Sequence, residues 1–250
     1  MAASFLQRNR KMLITLTCIL LTVSLLAAAF FLYVGSYYHA LPEAAEALAE
    51  TDGIQITSGK DGMAFVPQNA TTGLIFYAGG KVEFTAYAPL MRALAERGIL
   101  CVLPEMPFNL AVLDINAADG ICQLYPFIET WYIGGHSLGG SMAAAYLEKN
   151  ADAFAGLLLL GSYSTADLSG ASLSALSIYG SEDGVMDREK YAENLTRLPT
   201  NFKEIVIEGG NHAGFGTYGP QKGDGIAAIP AKEQINATAD HIAAYWEVLK

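Results

Sequence analysis

The sequence predicts an α/β fold, in which helices flank a mostly parallel β-sheet, preceded by one N-terminal transmembrane helix. Short apolar runs rich in strand-forming residues alternate along the chain with segments of helical periodicity. Glycine-rich turns follow several of these runs, as expected where strands end. A third observation, an uncharged stretch of about 23 residues from Met12 to Val34, predicts the membrane helix.

The composition excludes one class of partner. The chain has 250 residues, of which 52% are hydrophobic and 16% charged, which is enough for one sizeable globular domain. The formal net charge is −10, and the residues after the apolar stretch are still more acidic because three basic residues precede it. Nucleic-acid phosphates require a basic face, so we expect no nucleic-acid partner.

The N-terminal stretch indicates a membrane location. At 1.5 Å per residue it is long enough to cross a hydrocarbon core of about 30 Å. Because Arg8, Arg10 and Lys11 precede it, the positive-inside rule predicts a cytoplasmic N-terminus and a single-pass protein of the cell membrane, with its domain outside the cytoplasm. Cleavage near Gly35, which would release a secreted protein, stays open as an alternative. The predicted organisation is a basic tail (1–11), a transmembrane signal-anchor helix (12–34), a spacer (35–50) and a catalytic domain (51–250).

The first half of the domain contains two predicted strands and two predicted helices. Residues 73–77 (GLIFY) and 99–103 (ILCVL) are strand-like, and the helix between them, 89–97, begins at a proline and is followed by a glycine. From Leu110 to Leu124, apolar residues recur at three- and four-residue spacing, which predicts another helix, ended by Pro126.

The second half repeats this alternation. The predicted strands are 130–133, 155–160, 176–179 and 202–207, and the predicted helices are 141–149 and 230–249. About 15 residues separate the strands that end at 160 and 179, which is too few for a large helical lid. We therefore expect an open site.

A candidate nucleophile lies between a predicted strand and a predicted helix. The segment 135–139 (GHSLG) fits the pattern G-x-S-x-G, and its strand and helix context is that of a nucleophile elbow, with Ser137 at the turn. The helix that follows directs free N–H groups and the positive end of its dipole toward Ser137, which favours an oxyanion there.

A serine hydroxyl needs a base, and His212 is the candidate. Of the four histidines, His39 lies beside the membrane segment, His136 occupies a variable motif position and His241 lies in a predicted helix. Only His212 follows a strand, in the glycine-rich loop 209–216.

The histidine in turn needs a carboxylate to fix its tautomer. Asp183 follows the strand 176–179, and the order Ser137, Asp183, His212 matches the chain order nucleophile, acid, histidine. Glu182 is the alternative acid.

Two backbone N–H groups are candidates for the oxyanion hole. Leu138 supplies one as the residue after the nucleophile. The loop after the first strand supplies the other, with Gly80 the preferred donor and Lys81 the alternative.

Three sequence blocks carry a family resemblance: GHSLGG, YGSEDG and GGNHAGFG. They resemble the catalytic blocks of the α/β-hydrolase superfamily, and GGKVEFTAYAPL, MPFNLAVL and YGPQKGDGIAAI resemble a small, dienelactone-hydrolase-like bacterial branch. The resemblance covers about residues 73–249. It implies a Ser, Asp, His triad and hydrolysis of a carboxylic ester or similar acyl bond. Dienelactone hydrolases proper have a cysteine nucleophile, whereas this chain has Ser137.

The expected function is therefore a serine hydrolase that forms an acyl-enzyme at Ser137, outside the cytoplasm. An acyltransferase with the same triad and a non-catalytic envelope binding module are the alternatives. We expect no cofactor, and no metal site because C-x-x-C spacing is absent. The expected partners are a small-molecule acyl substrate and the lipid bilayer, through residues 12–34; neither the physiological substrate nor the oligomeric state follows from the sequence.

Three details stay open at this point. Cys101 and Cys122 are either two free thiols or a disulfide. The loop 218–225 either presents Gln221 or Asp224 to substrate or is solvated, and residues 106–109 either line an acyl pocket or pack in the core.

Overall fold

The computed structural model describes residues 2–49, 53–59 and 62–249. The chain divides into two compact units, Met1–Tyr37 and Tyr38–Lys250. The first unit is one helix, α1 (Ala2–Gly35), within which Arg10–Gly35 is long and apolar enough to cross a membrane. A signal sequence near the N-terminus can satisfy the same criteria of length and composition, so the topology expected for residues 1–34 stays a prediction.

The second unit alternates strands and helices. Its strands are β1 (Ile54–Gly59), β2 (Gly62–Pro67), β3 (Thr72–Tyr77), β4 (Ile99–Pro104), β5 (Thr130–His136), β6 (Gly156–Leu160), β7 (Ser174–Gly180) and β8 (Asn201–Ile207). Its α-helices are α2 (Pro42–Glu46), α3 (Ala88–Ala95), α4 (Ile121–Leu124), α5 (Leu138–Asn150), α6 (Arg188–Asn194) and α7 (Ala231–Val248).

The strands form one sheet of eight in the order β1-β2-β4-β3-β5-β6-β7-β8. The pairs β1/β2 and β2/β4 are antiparallel, and all other pairs are parallel. Alternate residues of β3 enter two different apolar clusters, Leu74 and Phe76 on one face, Ile75 and Tyr77 on the other. Helices therefore cover both faces, which confirms the predicted α/β fold.

The strands β1 and β2 were missed by the sequence analysis, which placed the first strand at residue 73. They form an antiparallel hairpin at the sheet edge, and most side chains of β1 are exposed or half-buried. An edge strand of this kind lacks the continuous apolar run that marks a buried parallel strand. The predicted start of the domain, residue 51, lies outside the described residues.

Part of the predicted spacer packs onto the sheet domain. Tyr38 forms a bridge with Val82, donates its N–H to the carbonyl of Lys81 at 2.8 Å and accepts from the N–H of Glu83 at 2.9 Å. Three residues later, the N–H of Leu41 bonds to the carbonyl of Thr217 at 2.9 Å. We call residues 38–41 the strap.

The helix predicted from Leu110 to Leu124 is wrong. This stretch contains a short 3₁₀ turn and the one-turn helix α4, and Leu113 and Leu124 are 48% and 70% exposed. The hydroxyl of Tyr77 donates to the carbonyl of Ile115 at 2.8 Å and accepts from the N–H of Ala118 at 2.9 Å. Tyr77 thereby forms hydrogen bonds with backbone groups that would pair with each other in a helix. The spacing of apolar residues alone therefore gave a wrong prediction of helix.

Two smaller expectations are also resolved. The strand predicted at 130–133 is longer than expected. As β5 it continues through two glycines to His136. Cys101 is buried in β4 and Cys122 is half-buried in α4, and both are free thiols, so the disulfide alternative is wrong.

Candidate active site

Ser137 lies at the sharp turn between β5 and α5. Its φ of 52° and ψ of −122° are unfavourable for a residue with a side chain. A Cβ atom at Gly139 would lie 2.2 Å from the carbonyl oxygen of Tyr77. The start of α5 can therefore approach the end of β3 this closely only because residue 139 is glycine. The turn leaves Ser137 half-buried rather than packed into the core. This is the geometry of a nucleophile elbow.

Asp183 and His212 meet at the carboxyl ends of β7 and β8. Oδ2 of Asp183 lies 2.8 Å from Nδ1 of His212, and the two residues are 7% and 1% exposed. The other carboxylate oxygen, Oδ1, accepts the N–H groups of Val185 at 2.9 Å and Met186 at 2.8 Å. Burial raises the pKa of Asp183, but the hydrogen bond and charge of His212 and the two N–H groups outweigh it, so the pKa lies below its ordinary value. Asp183 is therefore ionised at neutral pH.

The second ring nitrogen of His212 is the one available to a substrate or a hydroxyl. Nε2 is buried and has no hydrogen-bond partner among the described residues. Ser137 is connected to the same region. Its N–H donates to the carbonyl of Leu160 at 2.9 Å, and a Cβ atom at the residue after Leu160, Gly161, would lie 2.9 Å from Nδ1 of His212. No hydrogen bond joins the Ser137 hydroxyl to Nε2 within the described part of the chain, a gap common in ligand-free enzymes.

The two predicted oxyanion donors lie side by side. A Cβ atom at Gly80 would lie 2.8 Å from Cδ2 of Leu138. Leu138 begins α5, where backbone N–H groups lack partners inside the helix. The N–H of Lys81 donates to the carbonyl of Asn109 at 2.7 Å, whereas none of the hydrogen bonds within the described residues uses the N–H of Gly80. This geometry favours Gly80 over Lys81.

Glu182, the alternative acid, points elsewhere. It is exposed, and its carboxylate accepts a hydrogen bond from the hydroxyl of Ser181 at 3.0 Å. The neighbouring Asp183 alone contacts His212, which agrees with the preferred assignment.

A buried pair that sequence reasoning missed links the elbow to the Gly80 loop. The hydroxyl of Tyr87 lies 2.8 Å from Nδ1 of His136 and accepts the N–H of Gly79 at 3.1 Å. The ring of His136 lies against that of His212, with centroids 4.4 Å apart. Burial, and secondarily the proximity of His212, hold the pKa of His136 well below its ordinary value. His136 is therefore a neutral part of the site, although the motif pattern treats its position as variable.

Gly161 is a second residue that sequence reasoning missed. It follows β6 with a φ of +49°, and a Cβ atom there would lie 2.9 Å from Nδ1 of His212 and 3.0 Å from Oδ2 of Asp183. Its position directly after a predicted buried strand is the feature of the sequence that could have pointed to Gly161.

The structure distinguishes between the alternatives given for the segments 218–225 and 106–109. In the loop 218–225, the carboxylate of Asp224 accepts backbone N–H groups of the His212 loop, and Gln221 accepts from the hydroxyl of Tyr218 at 3.0 Å. Neither residue stands free in a solvated loop. In the segment 106–109, Met106 is buried, whereas Phe108 is 49% exposed.

No cluster of three or more histidine, cysteine or acidic residues that could hold a metal occurs among the described residues. The polar groups described above are a serine, a histidine and a carboxylate, with backbone N–H groups beside the serine.

Solved structures share the fold at low sequence identity. A dienelactone hydrolase from Anabaena variabilis has a TM-score of 0.58 and 14% identity, covering 78% of this chain and 98% of its own. A naproxen esterase from Bacillus subtilis gives 0.56 and 12%, covering 82% and 94%. A thermophilic esterase from Thermogutta terrifontis gives 0.54 and 12%, covering 78% and 98%.

A sequence comparison with curated proteins gives no significant match. A family comparison does: residues 73–236, which include all the site residues described above, match the family described as alpha/beta hydrolase. The match spans more than half of the sequence, and the eight-stranded sheet agrees with it. The chain therefore belongs to the alpha/beta hydrolase family.

Proposed function

We propose that this protein is a serine hydrolase that cleaves a carboxylic ester or similar acyl bond through an acyl-enzyme at Ser137. The observation that carries the proposal is the buried Asp183–His212 pair, whose Nε2 is left without a partner among the described residues, at the end of the sheet where Ser137 occupies its strained turn. A buried nitrogen without a partner is costly, so such a group in a native protein calls for a functional explanation.

The proposed reaction has two halves, acylation and deacylation, and in each half His212 takes up one proton and returns it. His212 Nε2 takes the proton of the Ser137 hydroxyl as Oγ attacks the carbonyl carbon. The N–H groups of Gly80 and Leu138 bind the oxygen that becomes negative. As the tetrahedral intermediate collapses, the carbon–oxygen bond to the alcohol breaks and His212 returns the proton to that alcohol. Water, deprotonated by His212, then releases the acid and regenerates Ser137.

The proposed substrate class is a small acyl ester. Two structural neighbours are named esterases, and a third is named a dienelactone hydrolase. Identities of 12–14% show a shared fold rather than a shared substrate, so these names support the reaction class only.

We further propose that α1 anchors the protein in the cell membrane with the hydrolase domain outside the cytoplasm. Support comes from the candidate span Arg10–Gly35 and from the basic residues at positions 8, 10 and 11. Protease added to intact cells should remove the domain from the anchor. Protection until the cells are lysed would contradict the orientation, and a mature protein that begins after Gly35 would contradict the anchor.

A fluorophosphonate probe tests the enzyme proposal directly. The wild-type protein should be labelled at Ser137, and Ser137→Ala should lose the label together with hydrolysis of short-chain acyl esters. Ser169→Ala is the matched control, because Ser169 is exposed and bonds only within its own loop, to Asp167. Absence of labelling in the wild type would favour a binding module. Labelling with transfer of the acyl group to an added alcohol in preference to water would identify an acyltransferase.

A further inference from the structure

We infer that Asp224 is a positioning residue that holds the two loops carrying Asp183 and His212 in their working arrangement. The inference rests on the proposed function, since it concerns the same site. Asp224 lies in the loop before α7, twelve residues beyond His212, in a segment that the sequence alone offered either as substrate-binding or as solvated.

Both oxygens of the Asp224 carboxylate accept backbone N–H groups. Oδ1 accepts from Gly184 at 3.1 Å, from His212 at 3.2 Å and from Gly225 at 2.8 Å. Oδ2 accepts from Ala213 at 2.8 Å. A carboxylate has about four lone-pair sites and no proton to donate when ionised, so it suits a cluster of N–H donors.

These N–H donors come from the loop that carries Asp183 and from the loop that carries His212. Gly184 directly follows Asp183, and the other loop contributes His212 itself and the residue after it. One charged group thus bonds to the backbone on either side of the 2.8 Å contact between Asp183 and His212. Hydrogen bonds to a charged acceptor are roughly twice as strong as neutral ones. The Asp224 carboxylate is therefore well suited to hold the two loops in a fixed relative position.

The side chain of Asn211 also helps to hold the His212 loop in place. Asn211 donates from Nδ2 to the carbonyl of Gly225 at 2.8 Å and accepts the N–H of Gly214 at 2.9 Å. The backbone of Asn211 is in turn held by the side chain of Gln234 on α7, through bonds of 3.0 and 2.7 Å. Gln234 is fully buried, so the His212 loop is fixed to the body of the domain as well as to Asp224.

The contacts of Asp224 also distinguish it from a catalytic residue. Its four partners are all backbone N–H groups, so its effect on chemistry is transmitted through the position of His212. Misplacing a reacting group by about 1 Å is enough to lower a rate by about 10²-fold. We therefore expect loss of Asp224 to lower kcat more than it changes KM.

The test compares Asp224→Asn with Asp167→Asn in the full-length protein. Asp167 is the matched control because it is exposed and also accepts a backbone N–H and a hydroxyl, but both come from Ser169 in its own loop. Asn replaces one acceptor oxygen of Asp224 with an NH₂ group that faces N–H donors. Asp224→Asn should lower kcat by about 10- to 100-fold, going by the sensitivity of rate to small displacements, with KM changed less than about twofold. Asp167→Asn should leave both near wild type.

The downfield NMR resonance of the His212 Nδ1 proton gives a readout that a purely structural role would leave unchanged. It is identified by its absence in His212→Ala, and in Asp224→Asn it should shift or broaden. If Asp224→Asn fails to fold, Asp224→Glu serves instead, because it keeps the charge but displaces the carboxylate by one methylene. Wild-type kcat and an unshifted resonance in the folded variant would overturn the inference. Absence of Ser137-dependent labelling in the wild type would instead overturn the proposed function.

Discussion

Oδ2 of Asp183 and Nδ1 of His212 lie 2.8 Å apart in a part of the domain where neither residue is more than 7% exposed. Because Asp183 accepts, Nδ1 carries a proton and Nε2 is left as the acceptor. The pair thus sets the tautomer that a general base needs.

Replacing Asp183 with Asn should disturb that tautomer. The Asn side chain can donate as well as accept, so His212 is free to place its proton on Nε2. Steady-state kinetics should show a loss of kcat on the order of 10⁴-fold, the cost of the equivalent change in a well-studied serine protease. The matched control is Glu182→Gln, which alters the exposed neighbour. A greater loss in the control would show that the acid is misassigned.

Gly161→Ala should damage the same pair by steric means. The added methyl group would lie 2.9 Å from Nδ1 of His212, on a residue whose φ of +49° already disfavours a side chain. We expect kcat to fall by about 10²-fold or more, since the ring must move. Gly170→Ala is the control, because a Cβ atom there meets nothing within 4 Å. Equal activity of the two variants would show that the ring tolerates the displacement.

Gly80→Ala tests the proposed oxyanion hole. Its methyl group would lie 2.8 Å from Cδ2 of Leu138, so either the leucine side chain or the loop must shift. Alanine keeps the backbone N–H, so kcat falls only as far as the shift of the loop moves that N–H away from the oxyanion. Loss of one oxyanion donor typically costs about 10²- to 10³-fold in kcat, which is the upper limit of the expected fall, with KM little changed. Gly59→Ala, where a Cβ atom also meets nothing within 4 Å, is the control. A change confined to KM would mean that Gly80 binds the substrate without stabilising the intermediate.

His136 should make the stability of the domain depend on pH. Burial holds its pKa well below 6.5 in the folded protein, so below about pH 6.5 the unfolded chain binds a proton that the folded chain does not. The free energy of unfolding should therefore fall as the pH falls, by up to about 1.4 kcal/mol per pH unit for this group.

Urea unfolding of the wild type, His136→Gln and His241→Gln at pH 7.0, 6.0 and 5.0 measures this slope. His136→Gln should show a shallower fall, whereas His241→Gln, at an exposed position of α7, should follow the wild type. His241→Gln controls for the removal of a histidine, so a difference in slope confined to His136→Gln reports on His136 and the His212 ring packed against it. Parallel slopes for the wild type and His136→Gln would contradict its buried neutral state.

The fold class was predictable because the parallel strands are continuous apolar runs. The central strands β3, β4 and β6 are buried along their whole length, and each was found from its sequence. The hairpin β1–β2 and the irregular stretch 110–124 were not. The edge strand β1 is mostly exposed and has no continuous apolar run, and the stretch 110–124 depends on a partner distant in sequence. In the second case the decisive partner is the hydroxyl of Tyr77, which no local pattern reveals.

The same division holds for the candidate site. Chain order and loop position singled out Asp183 and His212, which lie in contact in the structure. Gly161 was assigned no role, and Asp224 was offered only as a substrate contact or as part of a solvated loop, because each acts on backbone or ring atoms brought close only by the folded sheet. Residues that perform chemistry follow recognisable patterns, whereas residues that position them do so through tertiary contacts.

The strap limits where the domain could be released from the proposed anchor. Tyr38 bonds to the carbonyl of Lys81, one residue after the proposed oxyanion donor Gly80. A cut between Gly35 and Tyr38 would keep this bond, and we expect the released domain to keep the proposed activity. A cut beyond Leu41 would remove the strap and loosen the loop beside the nucleophile. Proteolytic release and inactivation would thus be separated by only a few residues of chain.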